Sequence, residues 1–393
     1  MENNSGILAF WRVSRYNTLR RIQGVRAMPK QTSYRGCFLG LAVGDAMGYT
    51  VDDRDLEQIR TDYGPEGLLG YDLVNGYADV TSYTQLAAFT CNGLLLGLTR
   101  GQMQGIMAPY VRYIAAAQRE WAQTQRYSGS ISQSACWVGK ERDLKGRRCM
   151  DTRMLDTINQ GRAGSMEEPV NRFDAPGAMT VAIPVGMFFN PLRMDREEIC
   201  RLGAEAVALT HGAPQAFLAG AALAHIISRI IWDGVSDLKA LVKETGECLK
   251  EQFGREYPQA VEVAEKLNLA LRLAAAHNIT CCDAMEQLRC TTMAEILAGG
   301  IYAAVCHPNS FDEAMITAVN HSGRSAAVGA VTGAILGAKL GEEEIPEFYL
   351  EPLEPAEVLR DLADDVLNGC TMDKGSRLFD GDWDSKYLHG SRN

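Results

Sequence analysis

The chain has 393 residues, of which 46% are apolar and 22% charged, an ordinary globular composition that excludes disorder, collagen and a long coiled coil. Lys and Arg total 39 against 49 Asp and Glu, and the resulting formal charge of -10 repels phosphate backbones and anionic lipid, so neither nucleic acid nor a membrane is expected as a partner. Eleven cysteines run from Cys37 to Cys370 without Cys-x-x-Cys or zinc-ligand spacing, and they read as reduced, mostly buried thiols of a cytoplasmic protein.

In chain order, residues 1–30 form a basic extension, with Arg12, Arg15, Arg20, Arg21, Arg26 and Lys30 against the single acid Glu2, and Phe10, Trp11 and Tyr16 between them. Attachment to a membrane or nucleic acid is one reading. An extension of no fixed role, ahead of a start at Met28, is the other. From Arg35 onward apolar residues recur at three and four, which predicts an all-α domain over 31–369. Two of its helices are striped with glycine at every fourth residue, at Gly36, Gly40, Gly44 and Gly48 and again at Gly329, Gly333, Gly337 and Gly341. Residues four apart share a face, and each interior glycine costs about 1 kcal/mol against alanine, so close backbone packing at the domain centre is expected for both.

The polar stretch 118–171, with the basic cluster KERDLKGRRCMD, is expected as a surface excursion over one end of the bundle. The most apolar stretch, AFLAGAALAHIISRIIW, carries His225 and Arg229 and falls short of the roughly 18 uncharged residues a membrane span needs, so a buried helix is expected there. Residues 370–393 read as a loop-like tail. Its DGDWD run resembles a calcium loop but lacks the glycine and the bidentate acid of one.

Four segments, in order from about Arg35 to Gly341, are RGCFLGLAVGDAMGYTVDD, ADVTSYTQLAAF, PGAMTVAIPVGMFF followed by ALTHG, and AVNHSGRSAAVGAVTGAILGAKLG. Together they resemble the ADP-ribosylglycohydrolase family, with its opening GxxxGxAxGDAxGxPxE, its TDDTQ helix start, its GxAMRxxPxG and its AVNxGGDTDTxGA. The resemblance implies a single large orthogonal helical bundle with a ligand cleft at one end, where two Mg²⁺ or Mn²⁺ ions sit beside ADP-ribose.

At the metal motifs this sequence departs from the family. Thr81, Ser82, Tyr83 and Thr84 stand at the Thr-Asp-Asp-Thr positions, and Ser322, Gly323, Arg324, Ser325, Ala326 and Ala327 at Gly-Gly-Asp-Thr-Asp-Thr, so four carboxylates are replaced. The arginine of the AMR motif is Thr180. Asp45 and Asp52 remain, and two dications need more oxygen ligands than that. No metal and no other cofactor is therefore expected. Asp52 is the candidate catalytic carboxylate, and Asp45, Thr81, Ser82, Tyr83, Gly177, Ala178, Met179, His211, Arg324 and Ser325 are the candidate ligand-binding residues.

Several of these have alternative readings. Arg324 either meets a phosphate or carboxylate of the ligand or pairs with Asp52 and closes the old site. The HSGRS segment either faces an anion or caps a helix through Ser322 or Ser325. His211 is either in the cleft or structural, and Asp45 is either a site acid or a cap. Three functions follow: binding of an ADP-ribose-type small molecule with any glycosidic hydrolysis metal-independent, a non-catalytic pseudoenzyme that binds or regulates, and a structural protein of the lens-crystallin kind.

Overall fold

A computed structural model describes residues 30–52, 54–73, 75–106, 108–126, 134–375 and 378–392. All of the basic extension but Lys30 lies outside the described residues. Among them are seventeen α-helices and no strand, only an isolated bridge between Ala78 and Leu353. The fold is all-α. The helices are α1 (Gln31–Tyr49), α2 (Leu56–Tyr63), α3 (Ser82–Gln104), α4 (Tyr110–Thr124), α5 (Thr152–Asn159), α6 (Ala182–Phe188), α7 (Arg196–Ala208), α8 (Pro214–Asp233) and α9 (Leu238–Phe253). They continue as α10 (Gln259–Ala274), α11 (Cys281–Leu288), α12 (Met293–Cys306), α13 (Phe311–Val319), α14 (Ser325–Leu340), α15 (Glu347–Leu350), α16 (Ala356–Asn368) and α17 (Gly381–Leu388).

The glycine stripes meet each other. A Cβ built on Gly36 would lie 2.2 Å from the carbonyl oxygen of Gly337, one on Gly40 2.1 Å from that of Gly333, and one on Gly44 1.9 Å from that of Gly329. The partner number falls by four as the first rises by four, so α1 and α14 run antiparallel, backbone against backbone, and no side chain larger than hydrogen fits between them. Both helices are buried along almost their whole length, at the domain centre. The stripes differ from expectation at their outer ends. Gly48 faces Ser325, and Gly341 sits at φ +97° just beyond α14, where it terminates the helix.

This seam positions the site, because it brings the C-terminal end of α1 to the N-terminal end of α14. Around the seam α8 is the one described helix long and apolar enough to cross a membrane, yet 83% of its apolar window is buried among the other helices. Proline opens it at Pro214 and Gly234 closes it in the left-handed region.

One expectation needs correction. The tail is not a loop: Asp380 accepts a hydrogen bond from the Trp383 amide at 3.0 Å and caps α17, so the acidic run is a helix start. Trp383 and Tyr387, four apart on one face, then bury themselves, the indole donating to Thr99 and the phenol to Asp365. Among the described residues of the stretch 118–171, Trp121 and Trp137 are fully buried. Their apolar area holds it against α3, with the Trp121 indole donating to Gln85 at 2.9 Å.

Candidate functional site

Asp45 lies in α1 one turn before its end, completely buried, and faces the start of α3. One carboxylate oxygen accepts from the Thr81 hydroxyl at 2.7 Å, and the other from the Thr81 amide at 2.9 Å, the Thr84 amide at 3.1 Å and the Thr84 hydroxyl at 2.6 Å. Burial raises its pKa, and the bonds from Thr84 and Thr81 act against that rise. Asp45 is thus a cap for α3 delivered from another helix: it satisfies amides that a helix start leaves unpaired and places negative charge at the positive end of the dipole. The two threonines kept from the family-like motif are the ones that bind it.

Asp52 follows the turn after α1 and does the same for α14. Its Oδ1 accepts from the Ala326 amide at 2.9 Å, and its Oδ2 meets the Arg324 guanidinium at 3.3 Å. Asp52 is 5% exposed. The Arg324 amide is in turn fixed to the Cys290 carbonyl at 2.8 Å. His321 is buried with both ring nitrogens used, one on the Ala318 carbonyl at 3.0 Å and Nδ1 accepting from the Gly323 amide at 2.8 Å. The Ser322 hydroxyl accepts from the Leu56 amide, and that of Ser325 donates to the Val319 carbonyl. The HSGRS segment is therefore a tied-down helix start, its cap supplied by Asp52 rather than by either serine.

The segment at 176–181 forms a buried turn beneath these two caps. Thr180 donates from its hydroxyl to the Tyr83 carbonyl at 2.6 Å. Gly177 is a close approach: a Cβ there would come within 2.8 Å of the Asp151 Cβ. Asp151 caps α5 and meets His211 Nε2 at 3.4 Å, while His211 Nδ1 contacts the Thr210 hydroxyl at 2.9 Å. The Asp151 carboxyl is lowered to about 2: burial opposes ionisation, but the bond to His211 and the charges of His211 and Arg153 prevail. Burial pushes the His211 imidazole down. Tyr83 is buried within electrostatic range of Asp52, Asp45, Arg324 and Asp151, and its phenol is raised well above the usual range, chiefly by burial.

Of the candidate site residues, only Arg324 presents an exposed side chain, at 46%; Thr81, Ser82, Tyr83, Gly177, Ala178, Met179, His211 and Ser325 are buried with the two acids. Asp45, Thr81, Tyr83, Asp52 and Arg324 form one cluster, with Asp151 and His211 on its flank. Two open cavities lie elsewhere, one of about 430 Å³ around Cys200 and His225, the other of about 620 Å³ around Asp283 and Glu286.

Sequence reasoning missed Asp151, Arg148 and Asp174. Arg148 clamps the approach to α3, donating to Asp79 at 3.0 Å, the Val80 carbonyl at 2.9 Å and Glu354 at 3.2 Å. Asp174 is held up to about 6 by burial, and its buried Oδ1 has no hydrogen-bond partner. The cap position of Asp151 before an amphipathic stretch was a readable signal; Arg148 and Asp174 carried none.

The profile of the ADP-ribosylglycohydrolase family matches residues 27–375. The chain belongs to the ADP-ribosylglycohydrolase family. A solved structure described as "ADP-ribosylglycohydrolase-related protein complex" is similar in fold, with TM-score 0.55 and 22% identity over 86% of this chain and 98% of that one. No curated protein matches. Asp45 and Asp52, the two acids of the first matching segment that face the cluster, both serve as helix caps.

Proposed function

We propose that this chain is a non-hydrolysing member of the ADP-ribosylglycohydrolase family that binds an anionic, ADP-ribose-type small molecule through Arg324, without metal. One observation carries the reading: both surviving carboxylates are committed to helix starts, Asp45 to α3 and Asp52 to α14. Glycosidic cleavage needs a carboxyl free to protonate the leaving group or to activate water. Asp45 has donors on both oxygens and no exposure, and Asp52 is held by an amide and a guanidinium.

The donor set also does not fit the family's paired dications. A hard dication takes six to eight oxygen ligands at calcium sites and a near-octahedral set for magnesium. Thr81 and Thr84 direct their hydroxyl protons at Asp45, Ser82 accepts from the Met150 amide, and the Arg324 cation stands against the remaining acid. Arg324 is itself suited to a pyrophosphate, since a guanidinium offers several donors in a fixed fork, and its exposed face is not consumed by burial.

The test is calorimetric titration of chelator-treated protein with ADP-ribose, repeated with Mn²⁺, alongside a release assay on ADP-ribosylated arginine peptide. Expected are metal-independent binding, no release, and a loss of about 1 to 3 kcal/mol in affinity on Arg324→Ala. Binding that requires Mn²⁺, or release above the uncatalysed rate, would sink the reading.

A further inference from the structure

Outside this site, α7, α8 and α9 bring a thiol, an imidazole and a carboxylate together at an open cavity. Cys200 Sγ on α7 lies 3.5 Å from His225 Nδ1 on α8, and His225 Nε2 meets Glu244 Oε1 on α9 at 3.3 Å. Arg229, one turn after His225, steadies Glu244 by donating to its Oε2 at 2.9 Å. A carboxylate only accepts, so Nε2 carries the imidazole proton and the Nδ1 lone pair is left facing the sulfur. Cys200 and His225 are 4% and 2% exposed, and both line the cavity of about 430 Å³ together with Cys248, Glu197 and Glu251. We propose that this cavity is a site for a thiophilic divalent cation of the zinc kind, with Cys200 Sγ and His225 Nδ1 as a preformed pair of donors and Cys248 as the third.

The spacing fits. Zinc stands about 2.3 Å from a thiolate sulfur and about 2.0–2.1 Å from an imidazole nitrogen, and a tetrahedral angle between those bonds puts sulfur and nitrogen about 3.6 Å apart. The observed separation is 3.5 Å. A second ring nitrogen resting on a carboxylate is the usual arrangement behind a histidine ligand, because the acceptor fixes the ring and raises its basicity. The pair is also rigidly placed: a Cβ built on Gly203 would lie 2.6 Å from that of Ala224, so α7 and α8 approach closely beside Cys200 and His225. Cys248 lies four residues after Glu244, hence on the same face of α9 one turn along. Among the described residues no three such donors already form a group that could hold a metal, so the third bond requires the Cys248 side chain to turn inward as the ion arrives.

Two sulfurs and a nitrogen select a zinc-like ion over Mg²⁺ or Mn²⁺, which prefer oxygen. The exposed carboxylates Glu197 and Glu251 attract a cation to the cavity, while its two arginines are engaged, Arg196 with Asp233 and Arg201 with Glu167 and Glu256. Binding exchanges protons for the ion: each S–H bond breaks as a sulfur–metal bond forms, the proton passes to solvent, and no electron is transferred. Burial pushes the Cys200 thiol up to about 12, so displacing its proton holds the affinity below that of an ionised thiol. Arg324 and Asp52 take no part, so the proposed function and this inference stand or fall apart.

The experiment uses the full chain, reduced, treated with chelator and desalted. Cd²⁺ is the first probe, because its bonds to sulfur give an ultraviolet charge-transfer band, and Zn²⁺ calorimetry follows. Expected are a band that Cys200→Ser and Cys248→Ser each diminish, and Zn²⁺ binding weakened at least about tenfold by Cys200→Ser, by His225→Gln and by Glu244→Gln. Cys282→Ser, outside the cavity, should change neither, and ADP-ribose affinity should be the same in all of them. Should a variant fail to fold, the cadmium resonance of the wild type, whose shift reports sulfur and nitrogen donors, decides the matter without it. A charge-transfer band that survives Cys200→Ser unchanged, a resonance of oxygen donors alone, or a chain that takes up no Cd²⁺ would overturn the proposal.

Discussion

The middle and the ends of one helix pair have followed different rules in this protein. Along the middle, α1 and α14 touch through Gly36, Gly40 and Gly44 against Gly337, Gly333 and Gly329, with no room for a Cβ on either side. At the ends, the same seam delivers Asp45 and Asp52 to the starts of α3 and α14, where both carboxylates accept from helix-start amides. The contrast teaches that a scaffold contact is fixed by volume, for which glycine has no substitute. A site is fixed by charge balance, and charge balance has more than one solution. Here the Arg324 cation is set against Asp52, and Asp45 and Asp52 cap two helix starts.

Changes that try the seam should have the largest effect. Gly40→Ala with Gly333→Ala places methyl groups 2.1 and 1.9 Å from facing carbonyl oxygens, and should cost about 5 kcal/mol or more, since overpacking against backbone cannot relax as a side chain does. Urea denaturation would show it, and a cooperative fold at normal midpoint would refute the seam. Next, Asp45→Ala leaves the Thr81 and Thr84 donors unpaired in a dry site and should cost about 3 to 5 kcal/mol. If Asp45 were a site acid rather than a cap, that variant would keep its stability and lose ligand.

The third test is pH. His321 is pushed down to about 4 by burial, whereas an unfolded imidazole takes its proton near 6.5. Between these values the unfolded state gains the proton first, so acid favours unfolding, by up to about 3 kcal/mol from this group. Urea midpoints at pH 7.5 and 4.5 should therefore separate less in His321→Asn than in the wild type.

Asp52→Asn keeps an oxygen for the Ala326 amide and loses only the charge facing Arg324, so a cost of about 1 kcal/mol is expected, with ADP-ribose affinity retained. A collapse of binding there would make Asp52 a ligand contact. The smallest effect has the opposite sign. Gly246 lies inside α9 with no neighbour nearer than 3.6 Å to a built Cβ, so Gly246→Ala should stabilise by up to about 1 kcal/mol, and a loss would show that the seam glycines are not special.

Much of the fold is legible in the amino-acid order alone. Periodicity at three and four marks the helices, and two stripes of glycine at one spacing mark the central pair, because both signals are local and repeat along the chain. The replaced acids are equally readable. Less legible is what the remaining acids do. Asp45 and Thr81 are 36 residues apart and Asp52 and Ala326 are 274 apart, so no local window contains both partners. Asp151 reaches the flank of the site from a stretch that reads as surface, and the acidic DGDWD run suggests an ion loop where Asp380 opens a helix.

The sequence by itself determined the class, the family and the seam, since steric volume and helical period are properties of each residue and its near neighbours. Only the tertiary structure decided that Arg324 faces Asp52 and that Asp45 and Asp52 both point at helix starts. The reason is that charge is balanced by whatever the fold brings within a few ångströms, and that neighbour is set by how the helices pack.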